Sequence, residues 1–110
     1  MIKKRLKALV ALHVRPATNF AKEISIISDG SSKDSTEIIL KKVTGDDGEK
    51  EIKFFDTSCS VLDIMTLGIE QGDEIELVIN GSQESSVFES IIGLHDEDDK
   101  KKSYYFSLIA

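Results

Sequence analysis

The sequence predicts an α+β fold, a four-stranded antiparallel sheet with three helices on one side, in the order β-α-β-β-α-β-α. Three observations point to it. Residues 2–10 and 74–80 alternate apolar and charged positions with the period of two that marks a strand buried on one face. Residues 16–27 repeat apolar side chains at helical spacing. At 110 residues the chain suits one compact domain, with a modest core and no room for a second.

In order, the first strand places Leu6, Ala8, Val10 and Leu12 on one face and Arg5 and Lys7 on the other. Arg15-Pro16 breaks it, and Pro at the first position of a helix loses nothing by its missing N–H. Ala17, Phe20, Ala21, Ile24 and Ile27 then form the apolar stripe of helix 1, which residues 29–32 (Asp-Gly-Ser-Ser) end. Residues 36–43 and 51–55 are β-prone, and the Asp-Gly in residues 44–48 between them signals a hairpin. Ser60 is a suitable N-cap for a short helix built on Val61, Leu62, Ile64 and Met65. Gly68 and Gly72 turn the chain into the last predicted strand, with Ile75, Leu77 and Ile79 on one face. Val87, Phe88, Ile91, Ile92 and Leu94 predict a final helix over about 83–95. One domain over 1–95 and an extension over 96–110, charged and then apolar, complete the organisation; whether the extension docks is left open.

Charge and composition narrow the function. The formal net charge is −6, and no basic patch with stacking aromatics is present, so nucleic acid is a poor partner. Cys59 is the single cysteine, and with only His13 and His95 no metal-binding spacing arises. The basic start, Lys3 to Lys7, precedes an apolar run too short for a signal peptide. Nor does any segment reach the roughly 20 apolar residues of a membrane helix. A cytoplasmic protein without a cofactor is expected, and nothing demands more than a monomer.

Leu12-His13-Val14-Arg15-Pro16-Ala17 is the segment that carries chemistry. A neutral imidazole is nucleophilic near pH 7, and covalent capture on its ring splits one group transfer into two steps. A phosphoryl dianion there would lie at a helix start, where free N–H groups and the dipole favour anions. Arg15 offers a guanidinium fork matched to phosphate oxygens. The same residues also fit an ordinary turn histidine beside an exposed arginine.

The run from His13 to Glu23, His-Val-Arg-Pro-Ala-Thr-Asn-Phe-Ala-Lys-Glu, resembles the active-site segment of HPr, the phosphocarrier of the bacterial sugar phosphotransferase system. A second match, Ser60 to Gly68 followed by Gln71-Gly72-Asp73-Glu74, resembles that family's regulatory-serine helix and the turn after it. The resemblance covers about residues 1–95 and implies an HPr-like open-faced sandwich. It implies that His13 accepts a phosphoryl group from enzyme I, itself charged from phosphoenolpyruvate, and donates it to an enzyme IIA. The protein would then be a stoichiometric carrier rather than an enzyme, with Arg15 stabilising the phosphoryl group. Ser60 would be the target of an HPr kinase/phosphorylase, although N-capping explains the serine equally well. Phe20, Val61, Leu62 and Met65 are docking candidates, with Phe20 and Met65 also fitting the core.

Several positions depart from the family pattern. Ala11 stands where Gly is usual, Val14 replaces a smaller or polar residue, Cys59 a basic one, and Asp63 a Gly. The segment between helix 1 and Ser60 is longer than usual. These departures leave open an HPr-like regulatory module controlled through Ser60. His95 is expected to cap or flank the last helix, and Cys59 to be a packed thiol without a base beside it.

Overall fold

The computed structural model describes residues 1–27, 36–43, 50–55, 58–95 and 104–109. The elements are β1 (Ile2–Ala8), α1 (Val14–Ile27), β2 (Glu37–Lys42), β3 (Lys50–Phe55), α2 (Val61–Thr66), β4 (Glu74–Asn80), α3 (Glu84–Gly93) and β5 (Phe106–Leu108). The expected order is present, with one strand added at the end. The helix stop at residues 29–32, the turn at 44–48 and the charged run at 96–102 lie outside the described residues.

All strand pairs are antiparallel, in the spatial order β3-β2-β4-β1-β5. The register follows the alternation in the sequence. Leu6 lies opposite Ile75, Ile38 opposite Ile79 and Leu40 opposite Leu77, so these side chains share one fully buried apolar face, with Lys4 and Lys42 also in phase with it. On the other face Arg5 and Lys41 flank Glu76, and Lys7 lies opposite Glu74. This mixed-charge surface is stable in water without a covering layer.

The apolar face receives Ala17, Phe20 and Ile24 from α1, Ile64 from α2, and Val87 and Ile91 from α3. Phe20 is fully buried and meets Phe54 and Phe106 edge to face, with ring centroids 6.4 Å and 6.3 Å away. These two rings come from the opposite edge strands, β3 and β5, so a single side chain joins both margins of the sheet.

The four-stranded expectation is corrected to five by β5. Leu6 pairs with Leu108 and Ala8 with Phe106, while Tyr105 and Phe106 are buried. The apolar end of the extension therefore docks as a strand on β1. Among the described residues no helix is long and apolar enough to cross a membrane.

Candidate functional site

β1 ends at Ala8, and the chain reaches α1 through Leu12, whose side chain is buried and whose N–H donates to the Ile69 carbonyl at 2.9 Å. Anchored on one side by Leu12, the next residue turns outward: the His13 ring is 73% exposed. The His13 carbonyl accepts the N–H of Ala17 at 3.0 Å, which makes His13 the residue flanking the first turn of α1. Val14 and Arg15 follow, both exposed. The helix thus begins at Val14, not at Pro16 as expected. Pro16 is tolerated as the third helical residue because first-turn amides have no acceptor within the helix. No carboxylate occupies that first turn, so nothing within it opposes an anion.

A second segment, the turn over residues 68–73, closes on this junction. Its reversal requires positive φ at Gly68 (61°) and Gly72 (94°), conformations that side-chain-bearing residues rarely adopt. Ala8 N–H donates to the Asp73 carbonyl and Gly72 N–H to the Ala8 carbonyl, both at 2.8 Å. An Asp73 carboxylate oxygen accepts the Glu70 N–H at 2.8 Å. Lys42 completes the frame. It continues the buried face of β2 beyond Ile38 and Leu40, and its Nζ donates to the Gly68 carbonyl at 2.9 Å and lies 3.4 Å from Asp73 Oδ2. The result is that Glu70 Oε2 stands 3.9 Å from His13 Nε2.

Lys42, Glu70 and Asp73 were not anticipated as parts of the site. Lys42 had a signal in the sequence, since it is in phase with Ile38 and Leu40. Glu70 had none, because only the fold brings residue 70 to residue 13.

The docking candidates separate. Phe20 is corrected from a docking residue to a core residue, because the face shared by Ala17, Phe20 and Ile24 points at the sheet. Val61 and Met65 are half-buried and pack against the core. Leu62, on the outer side of α2, is 73% exposed. Ser60 is the N-cap of α2, its Oγ accepting the Asp63 N–H at 3.4 Å. Beside it, Cys59 is half-buried, and burial with a smaller contribution from the Asp63 charge pushes its thiol up to about 12. It stays protonated near neutrality and is a poor nucleophile. His95 follows α3; its Nδ1–H donates to the Gly93 carbonyl at 2.9 Å and its ring meets Tyr104 edge to face.

Comparison with known proteins gives a consistent placement. A family model described as the PTS HPr component phosphorylation site matches residues 5–97. Among solved structures, the chain is similar to an HPr protein, HPr-C-His, from Thermoanaerobacter tengcongensis, with 25% identity and a TM-score of 0.52 over 82% of this chain and 85% of that one. It is similar in fold to the histidine-containing phosphocarrier protein of Mycoplasma, at 24% identity and a TM-score of 0.52 over 82% and 84% of the two chains. A search of curated proteins found no match.

Proposed function

The chain belongs to the PTS HPr family, and from that premise we propose that it carries a phosphoryl group on His13 between enzyme I and an enzyme IIA in the cytoplasm. The observation that supports this most is an exposed imidazole at the opening of α1, with the exposed Arg15 two residues on and no acidic residue in the first helical turn. An incoming phosphoryl group forms an N–P bond to the ring as its bond to the donor histidine of enzyme I breaks. The charge gathers on the three outer oxygens, where the Arg15 guanidinium and the helix start would stabilise it. Glu70 faces Nε2 and disfavours a dianion on that side, so Nδ1 is the nitrogen better suited to accept it. The reverse step returns the group to a histidine of the next protein, which leaves His13 unchanged and the protein a carrier. Leu62 would contribute to the docking contact, flanked by Val61 and Met65.

A regulatory role for Ser60 would act on the same face. Phosphate there adds about two negative charges beside Asp63 and the exposed Leu62, on the oxygen that caps α2. The cap alone already accounts for the serine, so carriage on His13 is the reading favoured here.

Incubation with enzyme I and labelled phosphoenolpyruvate tests the proposal. Acid-labile, base-stable label is expected on the native protein and none on His13→Ala. Undiminished label on the variant, or none on folded native protein with an enzyme I that charges a control carrier, would overturn it.

A further inference from the structure

We infer that the outer edge of β5, with the apolar groove beside it, is a self-association surface that joins two copies of this chain through antiparallel pairing of β5 with β5. The register defines the edge. Leu9 N–H donates to the Tyr105 carbonyl and Ile109 N–H to the Arg5 carbonyl, both at 2.8 Å. Residues 105, 107 and 109 therefore face β1, and the N–H and C=O groups of Phe106 and Leu108 point away from it. Among the described residues β5 ends the sheet and no strand pairs with that side.

Two features make a second β5 the fitting occupant. The first is the absence of charge: Phe106, Ser107, Leu108 and Ile109 include no charged residue, whereas the opposite edge strand, β3, carries Lys50, Glu51 and Lys53. Charged side chains are the usual guard of an open edge against pairing, and β5 lacks them. The second is shape. On the helix side of β5 an open groove of about 480 Å³ is lined by Phe88, Ile92, Tyr104, Phe106 and Leu108, with Glu89 as the one charged lining residue among the described residues. Leu108 is 51% exposed there.

A two-fold axis through Ser107 would set Phe106 against the second copy's Leu108 and the reverse. Both are hydrogen-bonded pairs, so all the outward backbone groups of this strand find partners. The same pairing continues the sheet and brings the two grooves together, each receiving the other's Leu108. An unrelated strand could satisfy the backbone, but β5 itself supplies both the complementary hydrogen bonds and an uncharged apolar filler. His13, Arg15, Glu70 and Leu62 are not part of this surface.

Sedimentation velocity across a concentration series, joined to amide hydrogen exchange, tests the inference on the full chain. A concentration-dependent species of twice 12.2 kDa is expected, with the Phe106 and Leu108 amides gaining protection as it forms. Leu108→Lys should weaken association by at least about 10-fold by placing a charge in the paired grooves, while circular dichroism shows the fold retained. A monomer at every concentration with freely exchanging Phe106 and Leu108 amides overturns it, whether the edge is bare or takes another protein's strand. So does a dimer that Leu108→Lys leaves unchanged.

Discussion

Beyond the end of β1 the exposed His13 and Arg15 stand beside an exposed Val14, and the ties that hold this segment are partly or wholly withdrawn from solvent. Along the outer margin of the same strand, through β5, the exposed groups are uncharged, Leu108 and Ile109 beside Ser107, and the backbone has no further partner among the described residues. His13 is presented by a frame of hydrogen bonds: Leu12 to Ile69, Ala8 to Asp73, Lys42 to Gly68. β5 is held by one short ladder and by Phe106 against Phe20. The contrast separates two ways of using a surface. A group that must react repeatedly is fixed from below and left bare above, while a strand that can still pair keeps its bonding capacity at its edge.

Substitutions can pull these two regions apart. Phe106→Ala should have the largest effect on stability, a loss of about 3–4 kcal/mol measured by urea denaturation, because it empties a fully packed contact with Phe20. If the contrast is sound, folded Phe106→Ala protein should still accept phosphate on His13 below its unfolding midpoint. Lys42→Met acts on the other region. It removes the Lys42 ammonium from the Asp73 carboxylate and the Gly68 carbonyl and should cost about 2–3 kcal/mol, at or below the low end for a buried pair because Asp73 retains some solvent contact. Here the rate of phosphate acceptance should fall as well, since the turn bearing Glu70 loses its tie. Stability lost at an unchanged rate in native conditions would show that the frame does not position the site. Glu70→Gln is the mildest. Both it and His13 are well exposed, so the change should favour the phosphorylated form by no more than about threefold at low ionic strength and vanish in high salt. A salt-insensitive effect would mean that Glu70 bonds directly to the ring or the phosphoryl group.

Much of this arrangement was legible in the chain. Leu6 and Ala8 against Arg5 and Lys7, and Ile75, Leu77 and Ile79, disclosed two strands and their buried face because alternation is a local property. Ala17, Phe20 and Ile24 disclose α1 by the same logic; their spacing also allows Phe20 a docking role, which its burial rules out. The start of α1 was misplaced by two residues because Pro16 is acceptable throughout a first turn. β5 was not legible: three residues carry no usable period, and their strand conformation depends on Leu6 and Ala8 a hundred or so positions away. Lys42 was hidden by its residue type, which suggests solvent even when its phase says otherwise. His13 and Arg15 stood out because their chemistry and spacing are local, whereas Glu70 joins them only through the folded turn.

The placement of β1 also bears on the order of events during synthesis. It leaves the ribosome first, yet its neighbours in the sheet are β4 and β5, the two strands made last. The β2–β3 hairpin can close early from nearby residues, but β1 must wait for β4 before one flank is satisfied and for β5 before the other is. Such long-range pairing slows folding and prolongs the exposure of apolar strands. The strand that leads to His13 is thus made before the other strands and enclosed after the β2–β3 hairpin, and nascent chains lacking only β5 would present it with one side still open.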